Sequence, residues 1–113
     1  MAQTPEAKVK RRVTAQLKAL GAYYFYPVTG GYGSSGVPDI VGCWNGTFFG
    51  IECKAGKNKP TMLQQKNLAD IAAAGGIALL INEQNADRIA SLLRGETPDE
   101  RQLELDFDRP AGE

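Results

Sequence analysis

The chain of 113 residues contains no histidine. That excludes a Ser-His-Asp or Cys-His triad, a histidine-ligated zinc and histidine as general base. Any catalysis must then use carboxylates, lysine, hydroxyls or a metal held by oxygen. Cysteine is scarce as well. The two cysteines, Cys43 and Cys53, are too few for a secreted disulfide scaffold and lack zinc-like spacing. Long apolar runs are missing, and no stretch approaches the roughly 20 residues needed to cross a bilayer. The opening MAQTPEAKVKRR has no apolar segment of the signal-peptide kind. These absences lead to the expectation of a cytoplasmic chain without membrane contact. Net charge is also zero, but unevenly so: residues 1–66 carry nine Lys/Arg against three acids, and residues 67–113 carry four against ten. A basic body suggests a polyanionic partner, and an acidic tail suggests a separate segment.

What is present organises into one domain over residues 1–95, followed by an acidic, proline-containing tail over 96–113 read as mostly disordered. Thr4 is placed to cap a helix over 5–20 and Pro5 suits its first position. Val9, Val13, Leu17 and Leu20 form its apolar stripe, and Gly21 stops it. Extended backward, the stripe reaches Glu6, on the core-facing side of the first turn and away from the outer face of Lys10 and Arg11. AYYFYPV (22–28) reads as a strand. TGGYGSSG (29–36) reads as a glycine-rich loop that matches neither the P-loop nor the dinucleotide fingerprint. A second helix over 61–74 ends at Gly75-Gly76. IALLIN (77–82) is a strand buried on both faces, and 86–94 a short helix closed by Gly95. The order α-β-β-β-α-β-α predicts an α/β fold with a central mixed sheet flanked by helices.

The segment PDIVGCWNGTFFGIECK (38–54) carries the chemistry. Asn45-Gly46 between apolar runs predicts a two-residue hairpin loop. That register sets Trp44 opposite Thr47, Cys43 opposite Phe48, Val41 opposite Gly50, Ile40 opposite Ile51 and Asp39 opposite Glu52. Lys54 shares the face of Glu52 and Asp39, whereas Cys43 and Cys53 fall on opposite faces and are not expected to form a disulfide. Two carboxylates side by side destabilise a sheet pair by up to about 1 kcal/mol. A shared proton, Lys54 or a cation between them would offset this. A divalent ion fits best, because the chain offers oxygen ligands and no imidazole.

Pro38-Asp39 followed by Glu52-Cys53-Lys54 resembles the PD…ExK signature of the PD-(D/E)XK nucleases, and the element order is that superfamily's core. More narrowly, GVPDIVG, GIECK and TMLQQKNLADIAAAGG resemble the virus-type replication-repair nuclease family (VRR-NUC), over about residues 5–83. The resemblance implies a Mg2+- or Mn2+-dependent endodeoxyribonuclease. Asp39 and Glu52, with the backbone carbonyl of Cys53, would hold the metal. Glu6 would complete the site directly or through water, and Lys54 would orient or deprotonate the attacking water. Gln64, in preference to Gln65, would be the glutamine of the second helix. Ser34, Ser35, Lys57, Lys59, Lys8, Arg11 and Arg12 would contact DNA phosphates without reading sequence. Stand-alone chains of this kind resemble the phage and bacterial members and the resolvases of four-way (Holliday) junctions. They imply branched DNA as substrate, a homodimer with interface candidates Tyr23, Tyr24 and Tyr32, and a bacterial or phage-infected host. The alternatives are a nickase or a flap or single-strand nuclease, and a non-catalytic DNA-binding or replisome-interaction module. In the tail, Gln102, Leu103, Leu105 and Phe107 resemble the hexapeptide with which bacterial replication proteins bind the sliding clamp; docking of the same residues on this domain as an extra strand is the other reading.

Overall fold

The computed structural model describes residues 3–28 and 36–96. Ser34, Ser35, Tyr32 and the clamp-like Gln102, Leu103, Leu105 and Phe107 lie outside the described residues, as does nearly all of the acidic tail. Helix α1 (Pro5–Leu20) begins where the Thr4 hydroxyl accepts the Ala7 N–H and ends at Gly21, whose φ of 77° turns the chain out of the helix. Strands β1 (Tyr23–Phe25), β2 (Ile40–Trp44) and β3 (Thr47–Cys53) follow, then α2 (Met62–Ala73), β4 (Ile77–Ile81) and α3 (Ile89–Leu93), the last preceded by a 3-10 turn at Ala86–Arg88. The four strands form one mixed sheet in the order β1-β2-β3-β4, antiparallel except for the parallel β3–β4 pair. No described helix is long and apolar enough to cross a membrane.

The hairpin register is the one the Asn-Gly loop dictates, with Trp44 opposite Thr47 and Ile40 opposite Ile51. Asn45 and Gly46 both take positive φ, 55° and 83°, the backbone a two-residue turn needs to match strand twist. Side chains therefore sort cleanly. Phe49, Ile51, Cys53, Leu79 and Ile81 face α1 and α3, where they join Val9, Val13, Leu17, Ile89 and Leu92 in the main core. Gly50, Glu52 and Leu80 face α2, whose Ile71 lies over Gly50. Both cysteines are free, Cys43 exposed and Cys53 buried.

Two elements differ from expectation. The strand expected over 22–28 spans only Tyr23–Phe25: in its register residues 27 and 28 fall beyond the start of β2 at Ile40 and have no partner there. The last helix is split into a 3-10 turn and a short α3: neither N-cap residue, Asn85 or Arg88, caps with its own side chain, and the Ile89 N–H at the start of α3 donates instead to Gln16 Oε1 of α1 at 3.2 Å. Where β1 meets β2 the backbones are close: a Cβ on Gly42 would lie 2.0 Å from the Tyr23 carbonyl oxygen and 2.8 Å from the Tyr24 Cα. Backbone cannot step aside as a side chain can. Gly42→Ala is therefore expected to cost about 3 kcal/mol and to expose the amides of β1. Chemical denaturation with hydrogen exchange on residues 23–25 checks both.

Candidate metal centre

The edge where β2 and β3 end builds the site. Opposite Cys53 the ladder would continue to Pro38, but Asp39 bends out of the strand and its Oδ2 accepts the Cys53 N–H at 2.9 Å. A side-chain oxygen thus takes the place of a ladder carbonyl and fixes the Asp39 carboxylate at the strand end, with Oδ1 left for a cation. In a strand, a residue's N–H and C=O point to the same side, so the Cys53 carbonyl is directed toward Asp39.

Glu52 lies on the opposite face of β3 from Cys53, 1 % exposed. Its Oε2 is 3.5 Å from Lys54 Nζ. Its Oε1, among the described residues, is a buried side-chain oxygen with no hydrogen-bond partner. Burial, and then the nearby Asp39 charge, push the Glu52 carboxyl up to about 8, with Lys54 opposing and Glu6 adding to the rise. A buried, half-satisfied carboxylate beside a second one is costly unless a cation joins them. The donors here are carboxylate and carbonyl oxygens, the set that hard ions such as Mg2+ or Mn2+ take. Asp39, Glu52 and the Cys53 carbonyl therefore fit such an ion. Burial and the same two carboxylates push the Cys53 thiol far up, so it is no nucleophile.

The remaining expected residues divide. Glu6 is half-buried and acts on Glu52 and Cys53 through its charge. Among the described residues no group of three or more Cys, Asp or Glu side chains is arranged to hold a metal, so Glu6 is not placed as a direct third ligand. Gln64 does not present its carboxamide to the carboxylates. Its oxygen accepts the Thr61 N–H at 2.8 Å while its own N–H donates to the Thr61 hydroxyl, a capping box at the start of α2. The Gln65 amide donates to the Pro60 carbonyl. Both glutamines are thus occupied by the helix's own N-terminus. Periodicity fixed the face of Gln64, but a long side chain can turn back along its helix, and the Thr61-x-x-Gln64 spacing is itself the capping signal.

Lys8, Arg11, Lys57 and Lys59 are exposed and open to an anionic ligand. Arg12 is not: it pairs with Asp87 at 2.9 Å and donates to the Glu83 carbonyl, tying α1 to the turn after β4. Two residues were missed. Lys10 is half-buried, and its charge lowers the Cys53 thiol against the other influences there. It was expected on the outer face, away from Glu6, but it lies one turn after Glu6, and the i, i+4 spacing puts the two on one flank. Glu83 accepts the Gly56 N–H with both carboxylate oxygens, at 3.0 and 3.2 Å. It braces the turn that carries Lys57 and Lys59 behind Lys54, a long-range contact with no local signature. Tyr23 stands exposed on the sheet edge while Tyr24 turns toward the core.

No family model matches the chain, and no curated protein matches it.

Proposed function

We propose that the chain is a metal-dependent phosphodiesterase whose site is Asp39, Glu52 and Lys54. The observation that carries this is the buried Glu52 with its unpartnered Oε1 beside Asp39 and 3.5 Å from Lys54. More particularly, the PD…ExK pattern and the α-β-β-β-α-β-α order support a branched-DNA endonuclease of the VRR-NUC type. A two-fold pair of chains would set two such sites across the two-fold of a four-way junction.

When bound, a divalent ion supplies Lewis-acid stabilisation of the phosphoryl charge and lowers the pKa of a water. The chain's own residues do the rest. Asp39 and Glu52 would hold the ion with the Cys53 carbonyl. The bond from the Cys53 N–H keeps Asp39 from rotating away. Lys54, 15 % exposed, reaches the same face as Glu52, where its ammonium can orient the water or bond a phosphate oxygen as charge builds on it. The attacking water oxygen forms the new P–O bond, the leaving oxygen takes the electron pair of the old one, and the proton given up by the water passes to solvent, from which the leaving oxygen takes one in turn. Lys8, Arg11, Lys57 and Lys59 are available for phosphates on either side.

The test is cleavage of an immobile four-way junction, a flap, a blunt duplex and a single strand with Mg2+, Mn2+ or EDTA. Paired, metal-dependent cuts in the junction are expected. Metal-dependent cuts elsewhere would keep the site and replace the substrate, and cutting in no lane would overturn the reading.

A further inference from the structure

The face of the sheet that carries Glu52 is only partly roofed. Helix α2 covers it over β3 and β4, and Ile71 and Pro38 lie against Gly50, but among the described residues it is open over β1 and the hairpin tip. Three aromatic side chains stand there: Tyr23 at 70 % exposure, Phe25 at 48 % and Phe48 at 48 %. The Tyr23 and Phe25 rings are neighbours, their centroids 6.2 Å apart and their planes tilted 56° to one another. The register puts them in line with the site. Tyr23, Cys43 and Phe48 form one row and Phe25, Val41 and Gly50 the next, and Glu52 follows on β3, two residues beyond Gly50 on the same face. Successive rows are about 6.8 Å apart along the strands, within the span of one extended nucleotide.

We propose that Tyr23 and Phe25, backed by Phe48, form a stacking platform for unpaired bases of the strand whose backbone occupies the Asp39–Glu52–Lys54 site. This rests on the nuclease reading and adds to it a preference for substrates with single-stranded character. Charge complementarity selects the occupant. The aromatic rows carry no charged side chain, and the exposed cations Lys57 and Lys59 lie beyond the site, in the turn after Lys54. A nucleic-acid strand joins the two chemistries such a surface asks for, an anionic chain at one end and flat apolar bases at the other. An apolar patch of this kind beside a charged centre is not ordinary surface.

Binding of labelled single strand, flap and blunt duplex to the full chain in EDTA, by fluorescence anisotropy, tests this without cutting. Tyr23→Ala/Phe25→Ala is expected to weaken the single strand and the flap by about 10- to 100-fold and the duplex by less than about twofold. Tyr23→Trp/Phe25→Trp should retain the affinity, because a larger ring still stacks. Both residues are exposed, so circular dichroism melts should match those of wild type. An unchanged affinity, or an equal loss on the duplex, would overturn the platform. So would a fall from dimer to monomer by light scattering, which would make the face a contact between copies. Binding that depends on the rings while no metal-dependent cleavage occurs would overturn the nuclease reading and leave the platform standing.

Discussion

Glu52→Gln is expected to give a protein that melts higher than wild type at pH 8 in EDTA and no longer cuts DNA. In the metal-free fold Glu52 is buried with its carboxyl raised from 4.5 to about 8. The folded chain therefore holds a proton that the unfolded chain releases much earlier. This contribution to stability is complete below about pH 4.5 and is lost as the pH climbs to about 8. Glutamine has the shape of the protonated acid and never ionises. At pH 8 it should gain about 2–4 kcal/mol over wild type, or about 10 °C in Tm, and at pH 4 almost nothing. Catalysis should fall by about a thousandfold, the several kcal/mol of charge stabilisation that a bound ion supplies. A residue kept for packing would show the opposite stability change. Thermal melts from pH 4 to 8 with and without Mn2+ measure this, and added metal should raise the wild-type Tm most at high pH while leaving the variant unmoved.

The second large effect separates two tasks of one carboxylate. Asp39→Ala removes both the proposed metal ligand and the acceptor for the Cys53 N–H. A buried donor left without a partner costs about 1–3 kcal/mol, so this variant should be less stable as well as inactive. Asp39→Asn keeps an oxygen for the Cys53 N–H and removes the charge. It should fold like wild type, bind Mn2+ far more weakly and cut at least about a hundredfold more slowly. Removing the neighbouring charge should also bring the Glu52 carboxyl down, because Asp39 is the second largest cause of its rise. Guanidinium titration and single-turnover cleavage check the pair, and equal stability of the Ala and Asn variants would show that the Cys53 bond carries no weight.

Much of this site was legible from the hairpin alone. Asn45-Gly46 fixes one register from Trp44–Thr47 to Ile40–Ile51, with Glu52 and Lys54 on one face beyond it; the expected pairing of Asp39 with Glu52 is not part of the ladder, because Asp39 leaves the strand to accept the Cys53 N–H. The boundaries of α1 and α2 were equally plain, because Thr4, Gly21 and Thr61 are local signals, whereas the last helix is split. What the sequence hid depends on contacts distant along the chain or on how a long side chain folds back. Arg12 looks like one cation among several until Asp87 is found beside it. Glu83 gives no hint of its hold on Gly56. Gln64 sits at the expected position and is occupied by its own helix. The shift of the Glu52 carboxyl comes chiefly from burial, a property of the packed fold.

The most direct measurement is isothermal titration of Mn2+ into wild type and Glu52→Gln at pH 7, in two buffers of different ionisation enthalpy. With Glu52 protonated before the ion arrives, wild type should bind one ion and release about one proton, and Glu52→Gln should show neither. Binding with no proton release, or the same isotherm for both proteins, would contradict the assignment of Glu52 as a metal ligand.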